Sequence, residues 1–472
     1  DLVSAFRMMP KDASLAESLF GVGGLGTKIT QLWKMGKVAL NPPSQVRNLM
    51  TNLIMLQLSG VPLYRVLDRV VAAASEMASG GPHWQIAKKY WVIRGTFAAN
   101  ELFEINRELL DLRARQGGAL AKLIGLAGKI GTLASNAYQF SDTLFKVAKI
   151  IDAMEREGTS EEEAVRESDK WIFDYSAVPP WVKYLRNAPI GVPFLTWQFK
   201  VIPRLIEVAA TKPWRFLPWI ALGYAISAMV KSQYDLDDDD LETLKLGMAR
   251  YMQRRGSVYV LPYQDEHGRW VFLDLGYIFP WQIIQEVANN ATAGSVSGTV
   301  RALGFGGPVA TVVTALMSGG IDPFTKRPIA NEGDPAEVQL GDYLAWIWRT
   351  AAPTWLTDIG AAQQLYDAVT GKTNRRGEPK LTEEQAALRF LGINLYPSDV
   401  LAQRDQNILS YKAELDKARS RMTFRLRDQS LSEAQRQAII ADHSAEITRR
   451  AKNLTDYVRE STPSERLART LQ

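Results

Sequence analysis

Apolar residues recurring at steps of three and four are the feature that most constrains how this chain can fold. Val46, Leu49, Met50, Leu53 and Leu56 set the pattern just after Pro42-Pro43. That spacing places side chains on one stripe of an α-helix, and burying such a stripe demands another helix or a sheet against it. The periodicity predicts a helix from about Pro42, a second after Pro62 and a third from about His83 to Arg115, broken at Gly117-Gly118. A fourth runs from about Ala119 to Glu155 and contains Gly125, Gly128 and Gly131, which would allow close backbone approach. Thr159 with Glu162 stands at capping-box spacing before a helix ending near Tyr175, and Pro179-Pro180 closes it. Further helices are expected over about 336–350 and 354–370, with Thr382 and Gln385 capping another.

The strongest β signal is Ser257–Tyr263 and Trp270–Leu275 around Asp265-Glu266-His267-Gly268, which reads as a hairpin over about 257–275. Two strands alone are marginal, so this hairpin must pack on helices or pair with a neighbouring subunit. Beyond residue 398 the chain reads as a charged helical hairpin. Ile408, Tyr411, Leu415, Ala418 and Met422 form the stripe of one arm, and Ile440, Ile447, Ala451, Leu454 and Val458 that of the other. Ser430 with Glu433 would cap the second arm. The expected fold is therefore mainly α: an extended multi-helical assembly with one β-hairpin and a C-terminal helical hairpin. Its expected segments are 1–40, rich in small residues, a helical domain 41–190, an apolar, aromatic and Gly/Pro-rich helical domain 191–397, and the hairpin 398–472.

At 472 residues the chain has room for two to four domains, and its 46% apolar and 23% charged content is that of a globular protein. Cysteine is absent, which removes disulfides, thiolate zinc sites and Cys nucleophiles from consideration. That suits a reducing compartment, or a chain that must refold after crossing compartments. Asp1 opens the sequence without a basic n-region or apolar h-region, so no secretory signal is expected. Of the net charge of +5, the last 72 residues carry +4, which is either a solvated helical face or a patch for phosphate groups.

Several motifs imitate active sites and fail on context. Gly21-x-Gly23-x-x-Gly26 matches a dinucleotide fingerprint, but a helical stretch precedes it and no acid follows about 20 residues on, so it reads as a joint between helices. Glu17-Ser18 before the glycines is reminiscent of lytic transglycosylases but lacks their following element. Gly371-Lys372-Thr373 lacks the upstream glycine of a phosphate-binding loop. Asp235 and Asp237 to Asp240 with Glu242 lack the Gly and distal Glu of a calcium loop, and read as an acidic first turn on a helix from Leu241. His83, His267 and His443 are far apart and suggest no ligand pair or triad. No catalytic, cofactor or metal residue is assigned, and a non-enzymatic role is expected.

The aromatic segment weighs most. Phe216 to Val230 is uncharged between Arg215 and Lys231, too short for a confident membrane span, and Ala302 to Ile321 is a second uncharged run interrupted by Gly and Pro. Trp197, Trp214, Trp219, Tyr224 and Tyr234 punctuate the first stretch; Lys200, Arg204, Lys212, Arg215 and Lys231 edge it. Aromatic and basic residues beside an apolar helix suit a bilayer interface, a subunit interface or a plain core helix. The candidate contact residues are Trp197, Trp214, Trp219, Tyr224, Tyr234, Arg215 and Lys231.

A series of short motifs then falls into a known order: Asn41-Pro-Pro-Ser-Gln-Val-Arg-Asn48, Leu303-Gly-Phe-Gly-Gly-Pro308, Ile321-Asp-Pro-Phe-Thr-Lys-Arg-Pro-Ile329, Ala351-Ala-Pro353 and Leu388-Arg-Phe-Leu-Gly-Ile393. Over about 41–397 the chain resembles the large polyvalent protein-associated regions of internal virion (ejection) proteins of short-tailed bacteriophages. The resemblance implies a protein packaged in the capsid that leaves ahead of the genome and reassembles as a channel across the host envelope. It further implies a homo-oligomer, other ejection or core proteins and the portal as partners, double-stranded DNA passing without sequence specificity, and contact with the host inner membrane. Longer members carry enzymatic domains, none of which is visible here. A static scaffold on the portal and an enzymatic virion module are the alternative roles.

Overall fold

In a computed structural model of the chain, the described residues are 33–471 apart from 35, 39–40, 103–117, 188–193, 251, 254, 277, 293–310, 313, 316–318, 323–327, 332–333, 352–359, 374–376, 378 and 429. The Gly21–Gly26 and Glu17-Ser18 motifs, the Gly304–Pro308 stretch and most of the Asp322–Pro328 motif lie outside them. The fold is mainly α-helical with a small three-stranded antiparallel sheet. Contacts divide the chain into two units, residues 1–217 with 277–393, and residues 218–276 with 394–472.

The first unit is built around α4. Helices α1 (Pro42–Leu58), α2 (Leu63–Ser79), α3 (Pro82–Lys89) and α5 (Glu161–Trp171) all pack on the 40-residue α4 (Gly118–Glu157). Leu144, Phe145, Val147, Ala148, Ile150 and Ile151 of α4 are buried, facing more than one neighbour. Between α3 and α4 the helix expected to continue to Arg115 stops. Tyr90 ends α3, Trp91 takes the left-handed region at φ 56°, and a 3₁₀ turn (Val92–Gly95) and a short π-helix (Ala98–Leu102) follow. The unit continues through α6 (Pro180–Asn187), α7 (Leu195–Thr211) and a 3₁₀ turn (Pro213–Phe216). Later, after α8 (Leu217–Tyr234) and α9 (Asp238–Leu246), it adds α10 (Gln282–Thr292), α11 (Ala336–Ala351), α12 (Ala361–Val369) and α13 (Glu383–Phe390).

The second unit joins two distant stretches of sequence. It contains α8 (Leu217–Tyr234) from Pro218 onward, α9 (Asp238–Leu246), β1 (Val258–Gln264), β2 (Trp270–Asp274), β3 (Asn394–Ser398), α14 (Val400–Leu426), α15 (Glu433–Glu460) and α16 (Glu465–Thr470). The expected hairpin is present, with Val258 opposite Asp274. The register shifts between Val260 and Gln264, where Pro262 cannot donate to a ladder. Besides packing on helices, the hairpin gains a third strand from the same chain: β3 pairs with β2 from Trp270↔Ser398 to Asp274↔Asn394, making β2 the central strand. Val230, Leu241, Leu244, Met248, Val258, Trp270, Phe272, Val400 and Leu467 close one core beneath the sheet.

That pairing overturns a division into four consecutive segments. The segment 191–397 is split, because strands at 258–274 find their third partner at 394–398 and take the helical hairpin with them. Caps also shift by one or two residues. Ser160, not Thr159, accepts from the Glu163 amide, and Ser432, not Ser430, forms a capping box with Gln435. In each case the residue used has the extended backbone an N-cap needs, with ψ 161° and 159°. Helix α9 starts at Asp238, with Asp237 and Asp240 forming a capping box, rather than at Leu241. The Thr382–Gln385 capping box is present as expected. In the helical hairpin, Leu415 and Ala418 are buried as the stripe predicts. On the second arm His443 and Tyr457 are buried instead of Ile440 and Val458, which are exposed.

Two of the short motifs meet in the first unit. Arg47 Nε donates to the Gly392 carbonyl at 3.2 Å, and Gly392 has φ +88°. A Cβ at Gly392 would sit 2.7 Å from the Pro43 carbonyl oxygen, a backbone atom that cannot swing aside. Gly392→Ala combines left-handed strain with that clash and is expected to cost about 2 kcal/mol or more. Gly371→Ala, at φ +67° with open space around it, should cost about 1 kcal/mol. Urea midpoints followed by circular dichroism measure both, and equal losses would contradict the close approach.

Candidate functional site

The seven candidate contact residues divide by what holds them. In the first unit, Trp197 of α7 is half-buried and Trp214 is 59% exposed. Arg215 does not reach toward solvent: its Nη1 donates to the Leu58 carbonyl at 2.6 Å, while its own carbonyl accepts from Gln57 Nε2 at 3.2 Å. A cation at the last carbonyls of α1 complements the helix dipole, and burial lowers its pKa. In the second unit, Lys231 pairs with Asp238 at 2.9 Å, and Tyr234 packs on Trp270 with ring centroids 4.7 Å apart. Trp219 is half-buried and Tyr224 is 74% exposed. Basic residues expected to edge an interface are thus partly spent on internal contacts, while Trp214 and Tyr224 are not covered.

Helix α8 supplies the surface that stands out. Only Gly223 and Val230 are buried, and a Cβ at Gly223 would lie 2.6 Å from Tyr259 Cε1, so α8 rests on β1 along that line. At about 100° per residue, Ile220 and Tyr224 fall on one flank and Leu222 and Met229 on the other, all exposed. Ala221, Ala225 and Ala228 lie between the flanks, also exposed. The outward arc is a shallow trough of small residues with large apolar walls, uncharged from Leu217 to Val230. Among the described residues no helix is long and apolar enough to cross a membrane.

A second cluster was read in the sequence only as part of a helix. Asp142, Lys146, Lys149 and Asp152 of α4 recur at four, three and three residues, and each is at most 4% exposed. Asp142 accepts from Asn48 Nδ2 at 3.0 Å, Asn52 Nδ2 at 3.3 Å and the Phe97 amide at 3.2 Å. Desolvation raises its pKa against these hydrogen bonds. Lys146 pairs with Asp169 at 2.6 Å, Lys149 with Glu157 at 3.5 Å, and Asp152 with Arg156 at 2.8 Å and Arg69 at 3.6 Å. A Cβ at Gly95 would meet Asp174 Oδ1 at 2.8 Å and Lys146 Nζ at 3.0 Å, so the 3₁₀ turn sits directly on the lysine. The Tyr175 amide donates to the Gly95 carbonyl at 2.8 Å, next to left-handed Phe173. Lys149 is met within α4 by Glu157, while Asp142, Lys146 and Asp152 meet opposite charges or amide donors from other parts of the chain, which fixes α4 to its neighbours. The signal lay in the spacing of 142, 146, 149, 152 and 156, which is also that of a solvated salt-bridged face.

The other sequence candidates are absorbed locally. Asp237 and Asp240 cap α9, and Asp240 accepts from Ser464 Oγ at 2.6 Å while Asp237 pairs with Arg466. His83 Nδ1 lies 2.8 Å from Glu76, His267 is in the exposed hairpin turn and His443 lies in the seam between α14 and α15. Among the described residues no group of three His, Asp or Glu side chains is placed to hold a metal ion.

Asp142→Ala strands three donors and removes a negative charge that interacts with Lys146, and is expected to destabilise the first unit by about 3 kcal/mol. Denaturant unfolding read through tryptophan fluorescence tests this, and a loss below about 1 kcal/mol would contradict a pinning role. Tyr175 is buried near Asp142, which pushes its phenol well above the usual value of 10.0. The folded state therefore holds that proton more tightly, so stability is intact below pH 10 and falls as pH rises further. Phenolate absorbance of Tyr175, isolated by comparison with Tyr175→Phe, should appear only on alkaline unfolding. Comparison of the chain with protein-family models, curated proteins and solved structures yields no match.

Proposed function

We propose that the chain is a non-enzymatic assembly protein: an internal virion (ejection) protein that forms part of an oligomeric channel carrying a viral genome across the host cell envelope. Its partners on this reading are further copies of itself, other ejection or core proteins and the portal. It resides in the virion interior and, after ejection, in the host envelope. The observation that carries the reading is the outward arc of α8, apolar on both flanks and small along its centre. An exposed apolar surface of this kind marks an interaction site rather than a solvated face. A trough of alanines between larger residues admits a second helix at close range. The ordered motifs over 41–397 add the phage context, and two of them, around Arg47 and Gly392, lie against each other in the first unit.

Other uncovered apolar residues point the same way. Tyr64, Leu67 and Val71 line the outer side of α2, and Trp181, Tyr184, Phe199 and Ile206 are exposed on α6 and α7. A protein destined to be wall material needs such surfaces on several elements, since each copy meets more than one neighbour.

The purified chain should form a defined oligomer by light scattering and co-sediment with liposomes. Replacing Ile220, Tyr224 and Met229 with Ser should reduce the oligomer to smaller species while far-ultraviolet circular dichroism stays unchanged. A chain that is monomeric at all concentrations and indifferent to liposomes, or variants that leave both properties intact, would overturn the reading.

A further inference from the structure

One histidine is shut into the seam of the helical hairpin in the second unit, away from the surface of α8. His443 of α15 is 7% exposed. Ile439 and Ile447 stand one turn to either side of it on the same face, both half-buried. The facing stripe of α14 is Leu415, Ala418 and Met422, buried or half-buried at steps of three and four. Arg425 ends that stripe, and its Nη1 lies 3.4 Å from His443 Nε2. A guanidinium carries only donors, so the contact is a hydrogen bond only while Nε2 is bare and the ring proton sits on Nδ1. Nδ1 is buried and meets no acceptor among the described residues.

The charges around the ring leave little to balance a second proton. From α14, Arg425 faces the ring and Arg421 stands about one turn back. From α15, Asp442 is exposed beside His443. Glu446 lies three residues on, held by Arg450 at 2.7 Å and within electrostatic reach of Arg421 and His443. Arg436, about two turns earlier, donates to the Leu431 carbonyl at 3.4 Å. Farther from the tip the arms are fastened. Glu414 bridges Arg250 at 2.5 Å and Arg450 at 3.0 Å, and Asn407 donates to Tyr457 Oη at 3.0 Å. The Arg250 guanidinium also lies 3.7 Å from the centre of the Tyr411 ring. Beyond Glu414–Arg450, Arg425–His443 is the one hydrogen bond or ion pair between the arms among the described residues.

We propose that protonation of His443 releases the outer half of the hairpin, about residues 418–447, while the inner half stays closed. The proton places an N–H on Nε2 against Arg425, where two donors and two positive charges repel, and sets a charge in an apolar seam. Opening gives the ring to water, so acid favours the open form and neutral pH the closed one. An imidazole in water takes up a proton near pH ~6.5, so the response falls between about pH 8 and 5, where carboxylates keep their charge. Its ceiling is about 30-fold in the opening equilibrium at pH 5, reached only when the closed seam admits no proton, and Glu446 offsets part of it. Acid uncovers the stripe of Ala418, Met422, Ile439 and Ile447, an apolar surface that the closed hairpin folds against itself. None of these residues belongs to α8, so the device operates whether or not the chain assembles through that helix.

The test is amide hydrogen exchange of the full chain, read by mass spectrometry at pH 8, 6.5 and 5 and corrected for the intrinsic exchange rate at each pH. Protection over about 418–447 should fall about threefold or more from pH 8 to pH 5, while protection over about 404–411 and 454–460 stays within about twofold. His443→Gln keeps a side-chain acceptor and cannot titrate, so its outer half should hold the same protection at every pH. Arg425→Gln removes the facing cation without touching the histidine and should shrink the fall; it serves equally where His443→Gln does not fold. Glu446→Gln removes the nearest carboxylate on the same helix and should enlarge the fall. The proposal is overturned by protection that ignores pH in the unaltered chain, by a fall that survives unchanged in His443→Gln or Arg425→Gln, or by equal loss in the inner and outer halves.

Discussion

The first unit depends on how α4 buries charge. A helix that carries Asp142, Lys146, Lys149 and Asp152 into an interior can be tolerated only if each charge is met, because an unpaired buried ion costs several kcal/mol. For Asp142, Lys146 and Asp152 the partners come from α1, α2, Phe97 just after the 3₁₀ turn, and α5, so satisfying these charges and choosing the neighbours are one event. Apolar packing of Phe145, Val147 and Ile150 drives collapse, but such contacts are tolerant of rotation and sliding. Hydrogen bonds from Asn48 and Asn52 to one carboxylate are not. They fix how far α1 is turned and how far it has slid along α4.

The polar residues of α1 extend that logic. Gln45 donates to the Ala134 carbonyl, Arg47 to Gly392, Thr51 Oγ1 to Ile278 and Gln57 to Arg215, so one helix touches four separate regions of the first unit through side-chain donors. A helix with polar residues on several sides would be read as surface. Here its polarity is the means by which carbonyls left open elsewhere are satisfied. The second unit shows a milder version in its seam, where Asn407 donates to the Met248 carbonyl at 2.8 Å and to Tyr457 Oη at 3.0 Å, and Tyr457 donates to the Leu246 carbonyl.

Against these hydrogen-bonded interiors, the outward side of α8 is conspicuous for lacking partners. A helix apolar all round is ordinarily a core element. In this chain it rests on the sheet by a narrow line through Gly223 and Val230, leaving Ile220, Leu222, Tyr224 and Met229 uncovered. Burying even part of such an arc against another copy would contribute several kcal/mol at about 25 cal/mol per Å². An assembly reading gives that surface a use, while Lys231 and Arg215 at its edges are engaged within the chain.

Local chemistry made much of this legible from the amino acids alone. Periodicity and helix-start signals gave the first residues of α1, α2 and α13 and both ends of α11 to within a residue or so, and alternation with a Gly-containing turn gave β1 and β2. Thr382 and Gln385 gave a true cap, since each of these signals depends on neighbours a few positions apart. The tertiary structure alone decided three things. Strand β3 joined β2 across 120 residues, because hydrogen-bonding edges carry no address in sequence. The charged stripe of α4 went inward, because whether a salt-bridged face is wet or dry depends on which donors arrive from elsewhere. Arg215 turned from an interface anchor into the cap of α1, because an open helix C-terminus lay within its reach.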